Sequence, residues 1–176
     1  MFESARLQIV AGWIRHYGRR RVLDIGCGQG QLLLTLDPLV VDDYVGVDAS
    51  RVATESARRR PDIPARFLVA DIQSEDLPAD LRTDCLCFVD VAYYLPLPAE
   101  VFARTLRHLA SDGILIVCQW IHPDADAPHN HKAAAVFTAM EATGNGLLDD
   151  VALQSAMTGN TWRLKVIRPR AVPACS

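Results

Sequence analysis

Leu7, Val10, Trp13, Ile14 and Tyr17 recur at the spacing of one helix face. This predicts an amphipathic helix over residues 3–17, stopped by Gly18. The period then changes. RVLDI (21–25), DYVGVD (43–48), ARFLVAD (65–71), DCLCFVDV (84–91) and GILIVCQW (113–120) are short, nearly continuous apolar runs, as in parallel strands covered on both faces. Between them lie helical patterns. QGQLLLTL (29–36) is closed by Pro38. SRVATESARRR (50–60) has Ser50 as its N-cap and Pro61 as its stop. PAEVFARTLRHLA (98–110) turns Val101, Leu106 and Leu109 inward. The acidic stretch 72–81 predicts a loop. Beyond Trp120, IHPDADAPHNH (121–131) predicts a polar loop broken by prolines. HKAAAVFTAMEA (131–142) predicts a helix ending at Gly144. LLDDVALQSAM (147–157) and TWRLKVIR (161–168) predict an antiparallel hairpin, and Pro169 and Pro173 mark a frayed tail.

Five strands alternating with helices define an α/β fold: a doubly wound, mostly parallel seven-stranded sheet in three layers, with an antiparallel edge hairpin. The 176 residues form one domain's worth of chain. The net charge of −3 supplies no basic field, so nucleic acid is not an expected partner. No run approaches the roughly 18 apolar residues of a membrane span, and the N-terminal stretch has no leader pattern, so a cytoplasmic location is expected. The odd cysteine count, Cys27, Cys85, Cys87, Cys118 and Cys175, reads as reduced thiols. Cys85 and Cys87 share one strand face and have no partners at zinc-ligand spacing. The Arg19–Arg20–Arg21 cluster reads as a solvated loop.

VLDIGCGQG (22–30) carries the chemistry. A strand ends at Ile25, and Gly26, Gly28 and Gly30 follow at alternating positions. Ligands of such sheets sit beyond the carboxyl ends of the strands, and glycines let the backbone turn sharply and touch a ligand. A dinucleotide fingerprint, G-x-G-x-x-G, would need a third glycine at position 31 or 33, where the chain has Gln31 and Leu33. Asp24, just ahead of the turn, suits an ammonium group better than a phosphate.

VLDIGCGQG resembles motif I of the class I S-adenosylmethionine (SAM)-dependent methyltransferases, and the resemblance runs from about Val22 to Ile167. It implies a Rossmann-like methyltransferase fold, SAM as cofactor and S-adenosylhomocysteine (SAH) as product. It further implies that Asp24 reaches the methionine part of SAM and that the backbone of Gly26, Gly28 and Gly30 packs on the cofactor. Asp48, ending the second strand in VGVDAS, would take the ribose hydroxyls, with Ala49 beside the adenine. Asp71 and the N–H of Ile72, in VADI, would read the adenine edge. FVDVAYYLP falls at motif IV, where family members line the methyl donor and the substrate. The chain then divides into an N-terminal helix (1–18), a cofactor-binding half (22–120) and an acceptor-side loop, helix and hairpin (121–168) within one domain (1–176). Helix capping is the plain structural alternative for Asp48 and Asp71.

In-line methyl transfer asks the protein mainly to align a nucleophile with the methyl group, with a base where the acceptor carries a proton. Asp90 and Tyr94 in motif IV, and His122 just after the fifth strand, are the candidate catalytic residues, and Asp90 is also an expected cofactor contact. Tyr93 and Tyr94 also read as packing residues. His122, Asp124, Asp126, His129 and His131 crowd one loop. Their spacing matches no fixed metal signature and two prolines break it, so no metal is expected. Trp13, Tyr17 and Trp120 are candidates to line the acceptor site. The expected activity is methylation of a nitrogen or oxygen of a small molecule. With few elements beyond the core, the site is open, to be completed by a second subunit (a homodimer or a partner chain) or by a large acceptor. A methyltransferase-like subunit without its own activity is the alternative. A macromolecular methyltransferase fits less well, since motif IV reads DVAYYLP rather than an N-P-P-Y type.

Overall fold

The computed structural model describes residues 3–57 and 63–170. The expected end at Arg60 of the helix over 50–60, and Pro173 and Cys175, lie outside them. The strands are β1 (Arg21–Ile25), β2 (Asp43–Asp48), β3 (Ala65–Val69), β4 (Thr83–Val89), β5 (Leu109–Ile121), β6 (Gly144–Gln154) and β7 (Thr161–Pro169). The helices are α1 (Glu3–His16), α2 (Arg51–Ala57), α3 (Pro98–Thr105) and α4 (Pro128–Ala142). They build a seven-stranded sheet in the order β3-β2-β1-β4-β5-β7-β6. The first five strands run parallel, β7 runs antiparallel to β5, and β6 closes the edge antiparallel to β7. This is the architecture the apolar runs predict.

Strand alternation sorts the side chains into two layers. Val22, Tyr44, Cys85, Cys87, Ile116 and Leu164 pack under α1 and α2. Leu23, Ile25, Val47, Phe88, Leu115 and Val117 pack under α3 and α4. Leu7, Val10, Trp13 and Ile14 of α1 are buried in the first layer, as their spacing requires. Trp13 is thus a core residue rather than a lining one, and its Nε1–H donates to Asp149 Oδ2 on β6 at 2.9 Å. Tyr17 packs against the same layer. Cys27, Cys85, Cys87 and Cys118 are buried free thiols, with Cys85 and Cys87 Sγ 3.6 Å apart. The three arginines at 19–21 pair with Asp112, Asp42 and Asp84.

Several boundaries differ from the pattern. Residues 29–36 form turns and one 3-10 turn (Leu33–Thr35), not a helix. Gly30 sits at φ 77°, outside helical space, where an added Cβ would meet Ala57 Cβ at 3.2 Å. The leucines are spent on burial instead: Leu32, Leu33 and Leu36 fill the α1 layer. The third helix stops at Thr105, and a 3-10 turn (Leu106–His108) leads into β5, which begins at Leu109 rather than Gly113 across a register shift opposite Thr83 and Cys85. α4 begins at Pro128, so His129–His131 are its first turn and not loop. Proline at that position fits, because its missing N–H is one the helix leaves unpaired. β6 starts at Gly144 and ends at Gln154, directly after α4.

Phe102 of α3 is fully buried and meets Phe88 edge-on, with ring centroids 5.0 Å apart. Phe102→Ala should cost about 3–5 kcal/mol. A thermal melt should show Tm lowered by on the order of 10 °C.

Candidate functional site

Two clefts lie at the carboxyl ends of the central strands, one on each side of the bend after β1. Gly26 belongs to both. Its φ is 72°, and a Cβ there would stand 2.4 Å from Val91 Cγ2. The bend therefore stays bare for two independent reasons: backbone conformation and the side chain following β4.

The first cleft, about 470 Å³ and open to solvent, is lined by Asp24, Gly26, Gly28, Cys27 and Val89, with Arg6 of α1 above. Asp24 is almost wholly buried because its place in β1 turns it toward the α1 layer. One carboxylate oxygen accepts from Tyr44 O–H at 2.6 Å, and the other is buried without a partner. Burial pushes the Asp24 pKa up to about 7, against the pull of the Tyr44 hydrogen bond and helped by the nearby Asp48 charge. Burial likewise keeps the Tyr44 phenol and the Cys27 thiol protonated. An unpartnered, buried carboxylate oxygen beside a bare backbone fits a cation such as an ammonium group.

The second cleft, about 540 Å³, is lined by Asp48, Ala49, Asp71, Ile72, Val91 and Tyr94 among others. Asp48 does not cap α2. Ser50 does, accepting from Ala53 N–H at 3.2 Å. Asp48 accepts instead from Gly28 N–H and from Ser50 N–H, each at 2.8 Å. It thereby ties the end of β2 to the glycine bend, a link the motif spacing did not reveal. Asp71 Oδ1 accepts from Gln73 N–H at 2.9 Å, and the Ile72 carbonyl accepts from Arg104. Gly30 lines neither cleft and serves packing against Ala57.

Asp90 stands just beyond β4 with φ 54°, a left-handed conformation that aspartate tolerates and that often marks functional sites. Its carboxylate is already engaged. Arg6 Nε–H donates to Oδ2 at 2.5 Å and Trp120 N–H donates to Oδ1 at 2.9 Å. The Arg6 guanidinium also lies 5.3 Å over the Trp162 ring. Arg6 thus pins α1 across the ends of β4 and β7. Sequence reasoning missed Arg6, because nothing local in α1 points to an acid 84 positions away.

Tyr94 is 71% exposed at the mouth of the second cleft. Tyr93 is half-buried behind it and remains a neutral phenol, its pKa raised by burial and by Asp90. His122 Nδ1 accepts from Asp124 N–H at 3.0 Å, so in the neutral ring the proton sits on Nε2 and the lone pair is already used. His129 differs. Its Nε2 lies 2.9 Å from the Trp120 carbonyl, which can only accept, so Nε2 carries the proton and Nδ1 keeps an available lone pair. Among the described residues no group of three or more His, Cys, Asp or Glu side chains is placed to hold a metal ion. No helix among them is long and apolar enough to cross a membrane.

A family model described as "Methyltransferase domain" matches residues 8–169. No curated protein sequence matches the chain. Among solved structures, the N-methyltransferase NodS from Bradyrhizobium japonicum WM9, in complex with S-adenosyl-L-homocysteine, superposes with TM-score 0.76 at 19% identity, over 96% of this chain and 87% of that one. The plantazolicin methyltransferase BpumL in complex with SAH gives 0.69 at 15%, over 94% and 84%. The [4+2]-cyclase SpnF gives 0.73 at 16%, over 94% and 82%. At these identities the likeness is one of fold, and the fold carries more than one reaction.

The buried Asp24 gives a stability prediction. The folded chain holds this proton up to about pH 7, whereas the unfolded chain releases it near 3.8. Between those values the native state binds more protons, so this group's contribution falls as pH rises and levels off above about 7. Asp24→Asn should therefore gain stability relative to the parent across that window, by on the order of a few kcal/mol. Urea unfolding of both proteins at pH 4.5 and 7.5 measures the difference.

Proposed function

The chain belongs to the methyltransferase-domain family, as a SAM-dependent methyltransferase of class I, and from that premise we propose that it methylates a nitrogen or oxygen of a small-molecule acceptor. The observation that carries this reading is the placement of Asp24, Asp48 and Asp71, from three adjacent parallel strands, around one bare bend shared by two clefts. The residues fit SAM: an orphaned buried carboxylate oxygen for its cationic amino-acid end, a turn without side chains for its middle, and acids at two further strand ends for its nucleoside. The N-methyltransferase NodS and the plantazolicin methyltransferase BpumL, among the structural neighbours, support this reading.

Asp24, Gly26 and Gly28 would hold the methionine end, with Gly30 stiffening the bend from behind. Asp48, Ala49, Asp71 and Ile72 would hold the ribose and adenine, with Tyr94 covering them. When bound, SAM would supply an electrophilic methyl group to the acceptor's lone pair, with SAH as the product it leaves. Asp90, neutralised by Arg6, acts as a positioning residue that fixes the Trp120 backbone and α1 over the reacting atoms. His122, whose lone pair is used by Asp124 N–H, offers an Nε2–H to orient the acceptor. His129 Nδ1 takes the acceptor's proton and passes it to solvent.

Calorimetry should show SAM and SAH binding and no NAD binding, and NAD binding without SAM heat would overturn the assignment. Asp48→Asn removes the negative charge and turns one of the two acceptor oxygens into an NH2 donor, and should weaken SAH about 10- to 100-fold. With an acceptor found from a panel of phenols and amines, His129→Gln should lower kcat by about 100-fold or more. SAH affinity should stay unchanged. An unaltered kcat would exclude His129 as the base.

A further inference from the structure

Five rings form a continuous row along the carboxyl ends of β4 and β5. Tyr94 and Tyr93 have centroids 4.5 Å apart, Tyr93 and His129 4.4 Å, His129 and Trp120 5.0 Å, and Trp120 and His122 5.3 Å. The two ends of the row open into different spaces. Tyr94 lines the cleft of Asp48 and Asp71. His122 lines a third cleft of about 1110 Å³, between the start of α4 and the β6–β7 hairpin. That cleft is wider than the two beside Gly26.

The chemistry of the third cleft selects its occupant. Ile121, Pro123 and Phe137 give it an apolar lining. Its one cationic side chain is already neutralised: Arg163 donates to both carboxylate oxygens of Asp150, at 3.0 and 2.7 Å. The Asn130 amide is consumed as well. Its Oδ1 accepts from His122 N–H at 2.8 Å, and its Nδ2 donates to the carbonyls of His122 and Asp124 at 3.1 and 2.8 Å. Among the described residues that line the cleft no uncompensated charge remains to attract an ion, and the imidazole edge of His122 supplies hydrogen bonding at the mouth.

We propose that this third cleft is the acceptor's seat and that it takes an uncharged, flat aromatic molecule whose reactive edge lies along the ring row toward the Tyr94 end. The site's use in methyl transfer rests on the reading above; its occupancy does not. The rings of His122 at the mouth and Phe137 in the wall favour a planar guest, and an anion would enter with nothing to pair with.

The test uses 2-naphthol, naphthalene-2-sulfonate and cyclohexanol as probes with the SAH-saturated full chain, in calorimetry and in ring-proton NMR of His122 and His129. The expected result is 2-naphthol binding at least tenfold tighter than the other two, with shifts at both histidines. Ala134, exposed on the wall of the cleft, gives the control: Ala134→Trp should fill the space and weaken 2-naphthol at least tenfold while SAH binds as before. Equal binding of the three probes, or 2-naphthol binding untouched by Ala134→Trp, would overturn the proposal. Loss of SAH binding in the parent chain would instead overturn the methyl-transfer reading, because naphthol binding is scored separately in SAH-free protein.

Discussion

The end of β1 is governed by a steric constraint. Val91, one residue past the strained Asp90, occupies the place where a side chain at position 26 would go. Only glycine fits, and only in a left-handed conformation, so the chain must break away from the sheet at that point. Every other feature of the site is arranged around that break. Asp24 lies two residues before it, Asp48 reaches across to Gly28, and two clefts open where a side chain would have made one wall. The functional bend is thus imposed jointly by β1 and by the segment after β4, which are far apart in sequence and neighbours in the sheet.

A second knot joins three parts of the chain at one carboxylate. Asp90 receives Arg6 from α1 and the Trp120 N–H from β5, and the Trp120 carbonyl in turn receives His129 from α4. Helices from both faces of the sheet are therefore referenced to the same point. The left-handed backbone at Asp90 is held by these partners and by its own N–H, which donates to the Cys118 carbonyl at 2.8 Å. Orientation of the reacting groups and attachment of α1 are in this way one structural problem with one solution.

The parts legible in the sequence are those written with a local period or a local motif. Apolar runs marked all five parallel strands, and Asp24, Asp48 and Asp71 line the clefts because each sits at a strand end. What stayed hidden was set by tertiary contact. Residues 29–36 have helical spacing, yet the left-handed glycine at 30 and the demand for buried leucines override it. The Arg6–Asp90 pair and the Asp48–Gly28 link join distant positions and leave no periodic trace. His129 looked like one of several loop histidines, and only its place in the first turn of α4, against the Trp120 carbonyl, separates it from His122.

The sulfur chemistry of the interior has a practical consequence. Cys27, Cys85, Cys87 and Cys118 lie under α1 and within the central strands; burial raises the pKa of Cys27 and Cys118, and the Cys85 side chain together with burial raises that of Cys87. A thiol-specific alkylating reagent reaches such groups only when the surrounding layer opens. Their labelling rates, resolved cysteine by cysteine in a mass spectrometer, would time the undocking of the first helix separately from the rupture of the sheet, with no engineered probe added.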